Sequence, residues 1–89
     1  MSLLENWSLE IDSDVSGALK KIPRQYAENI LEAIKLLPAN PYFGDIKKMK
    51  GEDNVWRRRL GSYRLFYKIK IPERIILVFR LERRTSKTY

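Results

Sequence analysis

The sequence contains no cysteine and no histidine. Without cysteine there is neither a disulfide framework nor a thiolate metal site, and without histidine a zinc site lacks its commonest remaining ligand. Long apolar runs are missing as well. The longest uninterrupted one, Ile75 to Phe79, is far short of the roughly 20 residues a membrane span requires. No charged-then-apolar signal segment opens the chain. The expectation is a soluble cytoplasmic protein without a membrane partner.

What is present is a basic chain of 89 residues, 44% hydrophobic, with a formal net charge of +7. That is enough for a single domain spanning residues 1–89, with a core small enough that a bound partner would help it. The charge is uneven. Residues 1–46 hold 4 Lys/Arg and 7 Asp/Glu, whereas residues 47–89 hold 14 and 4. An asymmetry of this size favours a polyanionic partner, because every neutralised phosphate releases condensed counterions. A solvated basic face is the plainer reading of the same numbers.

Trp7, Leu9 and Ile11 alternate with Ser8 and Glu10, the period of a half-buried strand, and Asp12-Ser13-Asp14 stops it. From Asp12 or Ser13, both competent N-caps, Val15, Ala18, Leu19 and Ile22 fall at helical spacing. Pro23 fits the first turn of a second helix with an apolar stripe of Tyr26, Ala27, Ile30, Leu31, Ile34 and Leu37, ended by Pro38. Residues 38–54 carry Pro38, Asn40, Pro41, Gly44 and Gly51 and read as a loop with at most one helical turn. Three strands follow, Asn54 to Leu60, Tyr63 to Lys70 and Arg74 to Glu82, with turns at Gly61-Ser62 and Pro72-Glu73. The apolar run in the last one marks a central strand buried on both faces. The expected fold is α+β: an N-terminal strand, a helical hairpin, then a three-stranded antiparallel meander, forming one twisted sheet packed by two helices.

Period-two geometry in Val55-Trp56-Arg57-Arg58-Arg59-Leu60 sends Arg57 and Arg59 to one face, and Trp56, Arg58 and Leu60 to the other. In the next strand Tyr63, Leu65, Tyr67 and Ile69 alternate with Arg64, Phe66 and Lys68, so Arg64 joins the polar face. Like charges clustered on neighbouring strands destabilise a free fold, which suggests an anion between them. A phosphate-binding surface and a solvated sheet face both fit this spacing. Arg58 is the exception, sharing a face with Trp56 and Leu60, so its stem is expected to lie over the core with its head reaching out. Trp56, Tyr63 and Tyr67 read as core. Lys47, Lys48 and Lys50 read as a solvated loop or a secondary phosphate patch.

Lys50-Gly51 followed by Trp56-Arg57-Arg58-Arg59-Leu60-Gly61-Ser62-Tyr63-Arg64-Leu65-Phe66-Tyr67, together with the tail Arg83 to Tyr89, resembles the core motif of the RelE/ParE superfamily, and its RelE-type branch in particular. The element order carries the resemblance over nearly the whole chain. It implies the toxin of a type II toxin-antitoxin pair: a ribosome-dependent endoribonuclease that cuts messenger RNA and is silenced by an acidic, RelB-like antitoxin. The implied catalytic positions are Arg57, Arg59, Arg64, Arg83 and Tyr89, with Lys47, Lys48, Lys50, Arg84 and Lys87 as further RNA contacts. The partners would be that antitoxin and the ribosome with its messenger RNA, and no cofactor is implied.

The chemistry implied is in-line attack of a ribose 2′-hydroxyl on the adjacent phosphate, which needs two proton transfers and stabilisation of a doubly charged phosphorane. Planar, permanently charged arginines suit the second task. Arg64 and Arg83 are assigned to the phosphate, with Arg57 beside them, and Tyr89 is the candidate base because neighbouring cations lower a phenol's pKa. Here the sequence departs from the best-known RelE pattern, which has lysines where Arg57 and Arg59 stand. An arginine is not deprotonated, so these two positions point to electrostatic stabilisation rather than base catalysis. Two other functions remain open: ParE-like inhibition of DNA gyrase, and a non-catalytic RNA-binding relative.

Overall fold

A computed structural model describes residues 7–83. It begins with β1 (Ser8–Ile11), followed by α1 (Ser13–Leu19) and α2 (Arg24–Leu36). Four more strands complete it: β2 (Ile46–Lys48), β3 (Val55–Leu60), β4 (Tyr63–Lys70) and β5 (Ile75–Arg83). The sheet order is β1-β5-β4-β3-β2. β1 runs parallel to β5 and every other pairing is antiparallel. The α+β fold with a helical hairpin and an antiparallel meander is therefore as expected, and β5 is a central strand with neighbours on both edges. It is not buried on both faces, however. Ile76 and Val78 on the helix side are sealed, while Ile75 and Leu77 on the other face are only partly covered, because no helix packs there among the described residues.

Local chemistry accounts for most boundaries. Asp12 caps α1, its carboxylate accepting from the Asp14 N–H at 3.1 Å. Pro23 stands at the N-cap of α2 rather than inside it, where its carbonyl accepts from the N–H groups of Tyr26 and Ala27. Gly61 opens the two-residue turn between β3 and β4 with φ +60°, a backbone that a side chain would strain.

One element departs from the sequence reading. Residues 46–48 lie in what was expected to be loop, yet they form the edge strand β2 against β3. Ile46-Lys47-Lys48 has too few residues for an alternation to show. Its pairing rests on backbone bonds that continue past the strand at both ends, Arg59 N–H to Asp45 O at 3.0 Å and Met49 N–H to Val55 O at 2.8 Å. Lysines on an exposed sheet edge also discourage further strand pairing.

The core lies between the helices and one face of the sheet. Val15, Ile30, Ile34 and Leu37 from the helical side meet Leu65, Tyr67, Ile69, Ile76 and Val78, all essentially sealed from solvent. Each such apolar side chain contributes about 1.5–3 kcal/mol relative to exposure. Tyr63 and Tyr67 belong to this core, and Trp56 packs against it. The Tyr67 hydroxyl stays satisfied by donating to the Pro41 carbonyl at 2.8 Å, which ties the segment after α2 to the middle of the sheet. Burial pushes the Tyr67 phenol up to about 12, partly opposed by the positive charge of Arg58.

Candidate functional site

The other face of the sheet carries no helix among the described residues, and strand register decides what stands on it. Directly opposed residues of an antiparallel pair project to the same side. Lys47 of β2 is opposite Arg57 of β3, Arg57 is opposite Phe66 of β4, and Phe66 is opposite Arg80 of β5. The next row joins Arg59, Arg64 and Glu82. Phe66 sits in the middle, 7% exposed although it lies on the side away from the helices. It is covered by the cationic side chains around it, with the Arg80 guanidinium 5.3 Å from its ring centroid.

Arg57, Arg59 and Arg64 are thus brought together as expected. Among the described residues no carboxylate pairs with any of the three. Glu82, opposite Arg64 in register, instead holds Arg80 at 2.8 Å. The Nε atoms of Arg57 and Arg64 are enclosed and have no hydrogen-bond partner among the described residues. The same holds for Nε and Nη1 of Arg58 on the helix side, so it is the clustering of like charges that sets the open face apart. An enclosed donor without an acceptor is costly, and an anion laid across these guanidinium groups would supply the missing acceptors while relieving their mutual repulsion.

Arg83 is not brought into this row. It lies opposite Tyr63, whose ring faces Tyr26 of α2 at 5.9 Å, so its Cβ starts on the helix side. The cause is a bulge in β5. The register shifts between Phe66 and Tyr67, which pair with Arg80 and Val78 and leave Phe79 as the extra residue. The insertion reverses the parity of everything after it, bringing Arg80 onto the arginine face and turning Arg83 away. Arg80 was not a candidate from sequence, because an irregular strand gives no sign of itself in a solid apolar run. Tyr89, Arg84 and Lys87 lie outside the described residues.

Lys47, Lys48, Lys50 and Arg57 line a shallow cleft of about 270 Å³ at the β2 edge. A larger groove, about 520 Å³, runs on the helix side between α2 and the β3–β4 turn, lined by Tyr26, Ile30, Ala33, Leu36, Arg58 and Tyr63 among others. Size does not make it the anion site. Its walls are mainly apolar and include Glu32, and among the described residues Arg58 is its only cation. Arg58 lies on the helix side as its phase required, its guanidinium 5.4 Å from the Phe43 ring centroid. The open face, by contrast, gathers Lys47, Arg57, Arg59, Arg64 and Arg80 from four neighbouring strands.

Comparison with known proteins agrees with this architecture. Residues 6–87 match the family described as the ParE toxin of the type II toxin-antitoxin system parDE. The chain is 35% identical over 81 residues to the Methanocaldococcus jannaschii protein named "Putative toxin RelE1", covering 88% of this chain and 90% of that one. The crystal structure of the archaeal RelE-RelB complex from Pyrococcus horikoshii superposes with a TM-score of 0.81 at 25% identity, over 93% of this chain and 100% of the other. The isolated E. coli RelE toxin shares the fold, with a TM-score of 0.75 at 16% identity over 92% and 88%. The family match and the 35% identical relative therefore make this a toxin of a type II toxin-antitoxin system. The chain belongs to the RelE/ParE superfamily.

Proposed function

We propose that this toxin is a ribosome-dependent endoribonuclease that cuts messenger RNA, with the arginine face as its phosphate site. The observation that carries the reading is the clustering of Arg57, Arg59 and Arg64 on one open face, two of them with enclosed and unpartnered Nε atoms. Arginines with no carboxylate partner among the described residues suit a substrate whose charge grows in the transition state.

In the proposed step the 2′-oxygen forms a bond to the adjacent phosphorus while the bond from phosphorus to the 5′-oxygen breaks. The 2′-hydroxyl proton passes to the general base, and the leaving 5′-oxygen gains a proton. The products are a 2′,3′-cyclic phosphate and a free 5′-hydroxyl. Arg64 and Arg57 hold the phosphoryl oxygens, Arg59 adds charge from the neighbouring row, and Lys47 at the β2 edge extends the phosphate track. Tyr89 is the proposed base, Arg83 a further proposed phosphate contact, and Arg84 and Lys87 proposed RNA contacts. The step asks for no metal. The ribosome supplies much of the substrate geometry, since in-line orientation is a large share of such a barrier, so free RNA is a poor substrate. A RelB-like acidic antitoxin is the proposed partner, lying over the arginine face and quenching its repulsion; the P. horikoshii structure, a RelE-RelB complex, supports this.

The test is cleavage of messenger RNA on purified programmed 70S ribosomes by wild type and by Arg64→Ala, with naked RNA as control. Cuts confined to the A-site codon, present only with ribosomes and lost in the variant, are expected. The match to the ParE family favours one other reading, inhibition of DNA gyrase. A folded protein that makes no cuts and blocks supercoiling would establish it.

A further inference from the structure

We propose that Tyr42 and Phe43 form a stacking platform for bases of the bound RNA strand outside the scissile step, reached from the arginine face around the β2 edge. The ligand class rests on the ribonuclease reading, whereas the residues and the test are separate from it.

The two rings are adjacent, and both are about half exposed, Tyr42 48% and Phe43 55%. They are not on a loose loop. Just before them Pro41 is buried and its carbonyl accepts from the Tyr67 hydroxyl. The Asn40 side chain accepts from the Tyr42 N–H at 3.2 Å, and the Asn40 carbonyl accepts from the Phe43 N–H at 3.3 Å. Just after them Gly44, at φ +94°, lays its backbone against Arg58 so closely that a Cβ would stand 2.9 Å from Cζ.

Each ring is also backed by protein. Phe43 lies over the Arg58 guanidinium, and Tyr42 meets Trp56 edge-on, with centroids 5.4 Å apart and planes at 78°. Their remaining surfaces face solvent, and the contacts behind them limit what a stacking base would still have to order.

Charge leads to them. β2 is the edge strand, and its successive lysines point to opposite faces: Lys47 stands beside Arg57 on the arginine face, and Lys48 is opposite Trp56 on the Tyr42 side. With Lys50 they give a cationic path around the edge. Aromatic rings beside such a path are the usual means of holding single-stranded nucleic acid without reading its sequence. Rings that served only to cover Trp56 and Arg58 would gain nothing from the exposed half of their surface.

The test is fluorescence anisotropy with a short labelled oligouridylate, in an Arg64→Ala background so that binding is read without turnover. Base stacking is worth about 1–3 kcal/mol per base, so Tyr42→Ala and Phe43→Ala should each weaken binding by about 5-fold to 150-fold with an unchanged salt slope. Phe43→Leu keeps an apolar cover over Arg58 and removes the aromatic face; it should melt with the parent yet lose comparable affinity. An abasic strand of equal length should bind the parent about as weakly as oligouridylate binds the double alanine variant. Parent-like affinity in Phe43→Leu, or equal binding of the abasic strand, overturns the platform and points to a protein partner for these rings. Base-dependent binding with no cleavage on ribosomes would sink the ribonuclease reading alone.

Discussion

Arg57 and Arg80 stand on one face of the sheet, on either side of Phe66, although they lie on different strands separated by a third. The Arg80 guanidinium lies over the Phe66 ring and pairs with Glu82 at 2.8 Å while remaining largely exposed. A phosphate spanning the row would meet Arg57, with an unpartnered Nε, and Arg80, already paired with Glu82. Arg83 starts from the opposite face.

It follows that Arg80→Ala should reduce ribosome-dependent cleavage more than Arg83→Ala does. Loss of one preorganised donor to a developing charge costs about 10²-fold to 10³-fold in rate, the range expected for Arg64→Ala. Arg80 is more exposed, so its loss should fall at or below the lower end. Single-turnover rates of the three variants on programmed ribosomes decide the order. A larger effect at Arg83 would mean that the strand end turns that side chain back onto the arginine face when RNA binds.

Binding of naked single-stranded RNA should be steeply salt-dependent. If Lys47, Arg57, Arg59 and Arg64 each neutralise one phosphate, the slope of log K against log salt is about −3, and Arg57→Gln makes it shallower by about 0.7. Titrations at several salt concentrations read both numbers. A slope indifferent to Arg57 would remove that residue from the phosphate track.

Tyr67→Phe should destabilise the fold by about 1–3 kcal/mol, because the Pro41 carbonyl loses its buried donor. The pH dependence follows from the raised phenol. Its folded pKa, about 12, lies above its ordinary value of 10, so its contribution is complete below pH 10 and is lost as pH rises through about 12. Urea unfolding of wild type should therefore weaken across that interval more steeply than that of Tyr67→Phe.

Gly44→Ala should cost about 1–3 kcal/mol from its left-handed backbone and push the Arg58 guanidinium off Phe43. Thermal melting measures the first effect. The second predicts weaker RNA binding from a residue that touches no RNA.

Much of this was legible in the chain. The caps and stripes of the two helices and the Gly61-Ser62 turn follow from local rules. The placement of Arg57, Arg59 and Arg64 on one face follows because β3 and β4 keep strict period-two alternation through those positions. β2 was not legible: three residues, two of them lysine, carry no periodic signal, and a neighbouring backbone recruits them. The Tyr42 and Phe43 pair lay in what read as loop, and nothing local showed that Tyr67 and Arg58 contact that loop.

By itself the sequence determined the class of fold, the polarity of the sheet's faces and the concentration of cations, because these depend on composition and on periodicities that each segment states alone. Tertiary structure decided which arginine of β5 joins the row. One extra residue, Phe79, exchanges the faces of Arg80 and Arg83, since a strand's side chains alternate with period two and a single insertion inverts all that follow. An uninterrupted apolar run looks the same with or without that insertion. The difference appears only when β4 lies alongside and its backbone bonds fix the register.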